Sequence, residues 1–344
     1  MNNGVISTEQ EQTVEQETQS NIYEEPRRKK RGAFISKPLL KQTFKSTWVF
    51  WLIMTLGSAA VFMVVNIVMG SKNIFVNIEM GPVSQYVKDQ ELGWLQVLGL
   101  LERMGFSLSR IQVMSQIDLN TILNDLIYRI AGVLLPMVYI MVVANKVIVS
   151  QVSDGSMAYV LSTPTNRKVV VRTQFFYLLI SLIAMYLAIT VSVLLSEVVA
   201  GLISGNMNII PLKSILYCFA SFCAMFALMG ICFGASAFFN RSSCSIAIGG
   251  GICLFSFLCC ILGLFGNKVF VSVGVGVAAM NVFNYMSIFS LIDMDSISAF
   301  TQMTYGQDVA NPYAWIWKVA ILIVIGIIFA IIGAKRFEKK DLPL

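Results

Sequence analysis

The chain has 344 residues, 56% of them hydrophobic and only 13% charged, with a mean hydropathy of +0.73; in an ordinary soluble domain about a quarter of residues are charged. Its apolar runs are too long and uninterrupted for a soluble core, which leaves one all-α integral membrane domain with tails. The net charge of +6 does not mark a nucleic-acid partner, because the basic residues flank apolar runs and act as topology signals.

Residues 1–33 open with a stretch rich in Glu, Gln, Thr and Asn, a composition unable to offset the entropy of ordering. A disordered cytoplasmic tail is expected there, closing on Arg27, Arg28, Lys29, Lys30 and Arg31. In residues 34–46, Leu39, Leu40 and Phe44 alternate with Lys37, Lys41 and Lys45. That pattern predicts an elbow helix in the membrane interface, with membrane lipid as partner to its lysines.

Residues 47–69 carry no charge and are long enough to cross a hydrocarbon core of about 30 Å. A signal peptide is the competing reading, but its charged leader is far too long and the apolar run exceeds a normal signal core. Further spans are predicted at residues 126–144, 175–196, 214–239, 245–265 and 314–334. Trp315 and Trp317 suit an interfacial aromatic belt, and Lys335 and Arg336 stop the last span. The segment 269–292 is also uncharged and could make a seventh. However, basic residues crowd both tails, which places both termini in the cytoplasm and demands an even number of spans. With Gly274, Gly276, Asn281 and Asn284, that segment is read as re-entrant or lying on the outer face.

With this topology the inner loops hold Lys146, Arg167, Lys168, Arg172 and Arg241, while the outer loop 70–125 holds Glu79, Asp89, Glu91, Glu102, Asp118 and Asp125. Trp94, Val97, Leu98, Leu101 and Met104 recur at helical spacing within that loop, predicting an amphipathic helix on the outer leaflet. The seven cysteines fall in or beside two apolar segments and no histidine exists, so packing is expected of them rather than disulfides or a metal site. Arg129, Glu197 and Lys146 sit near predicted span ends, as snorkelling residues do. Asn66 and Asn145 are candidates for bonds between helices.

The most informative inner stretch is Ser153-Asp154-Gly155-Ser156-Met157-Ala158-Tyr159-Val160-Leu161-Ser162-Thr163-Pro164. It predicts a short helix: Asp154 caps the first turn, Met157, Val160 and Leu161 form an apolar stripe, and Pro164 ends it. Two turns of helix are marginal alone in water, so the stripe needs something to pack against, either a partner or lipid.

This loop resembles the coupling segment of ABC-2 type exporter permeases, in which an acidic residue and a Gly precede Leu-Ser-x-Pro and a basic residue; here these are Asp154, Gly155, Leu161, Ser162, Pro164 and Arg167. The ending Arg336-Phe337-Glu338-Lys339-Lys340-Asp341-Leu342 is similar to the Phe-basic-Asp-Leu tail of the same family. The order of elements from about Phe34 to Leu344 also matches: elbow helix, six spans, and an outer re-entrant segment after span five. The acidic tail before Arg27 and the long loop 70–125 depart from a minimal member.

The resemblance implies a transmembrane domain over 47–334 with a cytoplasmic tail at 335–344, in a bacterial plasma membrane. It also implies two permease chains, identical or homologous, docked on two nucleotide-binding ATPase subunits through residues 154–164. No Gly-x-x-x-x-Gly-Lys-Ser/Thr loop is present to cradle ATP, so the energy is expected from the partner, with neither cofactor nor enzyme activity in this chain. The nearly uncharged interior points to a hydrophobic peptide, lipid or drug as cargo. The competing reading is a membrane sensor or immunity subunit that binds a peptide through loop 70–125 and transports nothing.

Overall fold

Six spans carry enough apolar length to cross a membrane among the described residues, built on α1 (Lys37–Gly70), α2 (Leu119–Asn145), α3 (Arg167–Ser204), α4 (Pro211–Phe238), α5 (Gly251–Leu264, preceded in its span by the turns of 242–250) and α6 (Ala314–Lys339). The computed structural model describes residues 35–70, 119–155, 167–204, 211–266, 277–302 and 311–339. The expectations for the tail before Ile35, for nearly all of loop 70–125, for Met157, Val160, Leu161, Ser162 and Pro164, and for Asp341 and Leu342 lie outside these residues.

The fold is all-helical, as its composition requires. α1, α2, α3 and α6 extend past the apolar runs that announced them, because charges mark where a bilayer ends and not where intrahelical hydrogen bonding must stop. Thus α1 runs without a break from Lys37 through the stretch read as an elbow, and α3 begins at Arg167, eight residues before its apolar run. Similarly, α2 begins at Leu119, inside the stretch read as outer loop.

The bundle is organised around α4, whose most apolar stretch is 72% buried, against 22% for α1. α6 packs on α4 through glycines. A Cβ at Gly230 would lie 2.3 Å from the Gly326 carbonyl oxygen, and one at Gly333 would lie 2.8 Å from the Gly234 Cα. α1 packs on α3, and there the bonds are polar. Ser36 N–H donates to Thr173 Oγ1 (3.0 Å), Thr43 Oγ1 to Gln174 Oε1 (3.2 Å), and Trp51 Nε1 to the Ser181 carbonyl (2.9 Å), while the Thr47 and Tyr177 hydroxyls bond each other. Asn66 Nδ2 donates to Ser196 Oγ (2.9 Å) near the far end, one of the two inter-helix amide bonds expected. In lipid, where apolar surface gives helices no reason to prefer each other, such close backbone approach and hydroxyl bonding hold them together.

One end of the bundle carries Lys37, Lys146, Arg167, Lys168, Arg241, Arg336 and Lys339 and is called the basic end below. Beyond the opposite end of α5, residues 277–292 fold into short turns: Ala278–Asn281, Val282–Met286 and Ile288–Leu291. They run back along α5. Asn284 Nδ2 donates to the Gly263 carbonyl (3.1 Å) and Ser287 Oγ to the Ser256 carbonyl (2.8 Å), seven residues apart on a helix that rises about 1.5 Å per residue. The segment therefore returns about 10 Å alongside the span it follows.

Asp293 then caps the helix Met294–Gln302 by accepting from the Ser296 amide (3.0 Å) and hydroxyl (2.7 Å), and receives Lys318 Nζ of α6 at 2.6 Å. Carboxylates are favoured at this cap because they accept the free amide hydrogens of the first turn.

Candidate functional site at the basic end

The basic end is built mainly by α2, α4 and α5. Below Asn145, α2 does not continue as a plain α-helix; it passes through a π-helical turn, Lys146–Ser150, and one further turn, Gln151–Ser153. The π turn carries an additional residue, which lets Val147, Ile148 and Val149 all be buried in succession. Lys146 leaves this apolar collar outward and donates from Nζ to the Ser46 carbonyl of α1 (3.0 Å), the position of a span-end lysine.

Asp154 ends the extension. Its Oδ2 accepts from Ser150 Oγ (3.0 Å) and its Oδ1 from Ser153 Oγ (3.3 Å), and its amide donates to the Ser150 carbonyl (2.9 Å). Gly155 follows at φ +71°, the left-handed conformation that closes a helix C-terminus and strains any residue with a Cβ. The acidic-Gly pair expected to open a coupling helix terminates the preceding one. At the same end, half-buried Arg167 starts α3.

α5 enters from the same end in the same way. Arg241 is extended, Ser242–Ser245 forms one turn, and a second π turn follows, Ile246–Gly250. This turn is pressed against its neighbours: a Cβ on Gly250 would lie 2.7 Å from Met141 Cε of α2, and one on Gly249 would lie 3.3 Å from Ala235 Cβ of α4. Asn145 Nδ2 donates to Ser242 Oγ (2.5 Å), the second inter-helix amide bond expected, while the Ser236 and Ser245 hydroxyls lie 3.1 Å apart. Cys232 and Cys253 face each other with sulfurs 3.4 Å apart, and six of the seven cysteines are buried as packing residues; Cys244 is exposed.

α6 closes the end. Phe337 is 1% exposed, Arg336 stacks on Phe238 at 5.6 Å, and Glu338 pairs with Lys168 at 3.5 Å. Of the site residues expected from sequence, Asp154, Gly155, Arg167 and Phe337 all lie at this one end of the bundle.

A family model described as ABC-2 family transporter protein matches residues 42–342. The chain belongs to the ABC-2 transporter family. No curated protein and no solved structure matches it. The permease is accordingly a multi-pass membrane transport subunit, and its family implies in general a partner ABC ATPase, such subunits having no ATP-binding site of their own.

Two features of the permease escaped the reading of its sequence, the paired π turns and the Asp293–Lys318 bridge. The run Gly249-Gly250-Gly251 inside a predicted span was the available sign of the first, since glycine in an element interior often marks a close backbone approach.

Proposed function

We propose that this chain is the permease of an ATP-driven exporter, with its basic end in the cytoplasm and residues 154–164 docked on a separate ATPase. The carrying observation is the termination at Asp154 and Gly155. A helix end closed by its own serines, with Val147, Ile148 and Val149 buried in the turn before it, is a firm attachment point for a docked segment. Positive charge gathered at that end supports a cytoplasmic orientation with both termini inside, in a plasma membrane.

ATP binding would draw the ATPase subunits together and rock the docked segments, switching a pair of permease chains, identical or homologous, between inward-open and outward-open packings. Residues 34–46 would lie at the lipid interface. Residues 277–292 would re-enter the outer leaflet, a reading supported by their return along α5. The cargo is a hydrophobic peptide, lipid or drug. What supports that class is the polar inventory of the packed helices, which is dominated by hydroxyls and amides bonded to one another, with no row of charges among the described residues to pass an ion.

Leu161→Asp tests the docking. It should leave insertion intact while reducing ATPase co-purification or ATP-dependent transport in inverted vesicles by tenfold or more, about 1.4 kcal/mol or beyond. Undiminished transport in this variant would reject the docking assignment, and co-elution with a peptide or kinase but no ATPase would reject the exporter.

A further inference from the structure

We infer that the two π turns and the Asn145–Ser242 bond form the joint through which movement of the segment after Asp154 passes from α2 into α5, making Asn145 and Ser242 positioning residues for transport. This rests on the docking role of residues 154–164 proposed above.

π turns are rare, and they gather where a helix must deform. Among the described residues there are two, on adjacent spans, at the same end and level, whereas α1, α3, α4 and α6 run as unbroken α-helix. Their placement is reciprocal. Asn145 is the last residue of α2 before its π turn, and Ser242 is the first residue of the turn preceding the π turn of α5. The bond joins a buried Asn145, 6% exposed, to a half-buried Ser242.

The Asn145 amide is only half used, since its Oδ1 is buried without a hydrogen-bond partner. An orphaned buried acceptor is costly in any one packing. It favours a second arrangement in which a modest rotation about the π turns brings it a donor. The closest contact there is with a side chain that can give: Gly250 meets α2 at the flexible end of Met141, whereas Gly230 of α4 meets the backbone of α6.

Motion received by α5 has somewhere to go. The span from Ser242 to Gly263 is 22 residues long, about 33 Å at helical rise. It carries residues 277–292 through Asn284 and Ser287, and these lead to the Asp293 latch on α6. The α4–α6 pair, locked by glycine contacts, is the fixed frame against which α5 would move.

The test is a distance measurement on the permease purified with its ATPase in lipid nanodiscs. Exposed Leu212 at the far end of α4 and exposed Tyr285 on the segment carried by α5 are replaced by spin-labelled cysteines in a Cys244→Ser background. The native joint should shift the 212–285 distance on addition of a non-hydrolysable ATP analogue. Asn145→Ala, or the milder Ser242→Ala, should abolish the shift while ATP hydrolysis stays within about twofold of native, the small change expected away from the docking surface.

The reciprocal exchange Asn145→Ser with Ser242→Asn, which can remake the bond, should restore the shift. A normal shift in both alanine variants, or an exchanged protein that hydrolyses ATP without shifting, overturns the joint. No shift in the native complex, together with ATP hydrolysis indifferent to Leu161→Asp, overturns the docking reading and the joint with it.

Discussion

Gly230 and Gly326 touch so closely that a methyl group on Gly230 has no place: the Gly326 carbonyl oxygen would be 2.3 Å away. The obstacle is backbone, which cannot rotate aside as a flexible side chain does, so Gly230→Ala must part α4 from α6. Overpacking of this kind costs about 1–3 kcal/mol. Gly251, by contrast, faces open space within 4 Å, and alanine there removes a poor helix former without a clash. Thermal unfolding of the two variants in the same detergent should therefore diverge, with Gly230→Ala several degrees less stable and Gly251→Ala equal to native or better. Equal melting of both would mean that the glycine seam does not set the stability of this helix pair.

Charge placement at single residues obeys the membrane before the helix. α3 begins with Arg167 and Lys168 and has no acidic residue in its first turn, the unfavourable sign for a helix N-terminus by about 0.3–1 kcal/mol per charge. Attraction to anionic headgroups is worth about 1 kcal/mol for each Lys or Arg near the surface. The two terms are of similar size, so headgroup attraction offsets the helix penalty, and basic residues stand where a soluble helix would carry Asp or Glu.

At the scale of elements, the segment Met294–Gln302 is packed through Met294 and Ile297 and capped by one acidic residue. Burial pushes the Asp293 carboxyl up, but hydrogen bonds from Lys318 and from the Ser296 hydroxyl and amide outweigh this and hold it below its ordinary value. A carboxyl lowered on folding contributes stability that is fully present above the unfolded value, about 3.9, and that is lost as pH falls through the lower folded value. The latch is therefore constant across neutral and mildly acidic pH and releases only in stronger acid. Hydrogen exchange of residues 294–302 should show no pH-dependent loosening between pH 5 and 8 beyond the intrinsic chemistry.

Lys318→Ala removes a charged hydrogen bond worth about 1.5–3 kcal/mol, so protection of the same amides should fall about tenfold or more. Unchanged protection in that variant would show the helix to be held by packing alone.

The same elements show which parts of the fold a sequence can disclose. Six spans were legible because an uncharged run of sufficient length has one stable outcome in lipid. The rejection of residues 269–292 as a seventh span was legible in part from its glycines and asparagines, and among the described residues 277–292 form short turns. Helix ends were not legible, as Lys37 and Arg167 show, because hydrogen bonding continues past the charges. Nor was the Asp293–Lys318 bridge, whose partners stand 25 residues apart with no periodicity to link them. Within the candidate site, Asp154, Gly155 and Arg167 announced themselves by local pattern. Asn145 could be named as a bonding residue, but its partner Ser242 depended on how two spans meet.

For the whole molecule the decisive question is which side of the membrane the basic end faces, and the chain contains its own reporter. Of seven cysteines only Cys244 is exposed, and it sits at the basic end beside Arg241. The other six are buried among the helices and should react far more slowly, since maleimides need an accessible thiolate. A membrane-impermeant maleimide applied to intact cells should therefore leave the native permease unlabelled, the same reagent on inverted vesicles should add one label per chain, and Cys244→Ser should remove it. Labelling of intact cells would put the basic end outside, against the expectation that loops rich in Lys and Arg stay in the cytoplasm. It would also place residues 154–164 beyond the reach of any cytoplasmic ATPase. The geometry described for the basic end would stand, but the lever rooted at Asp154 would need another driver.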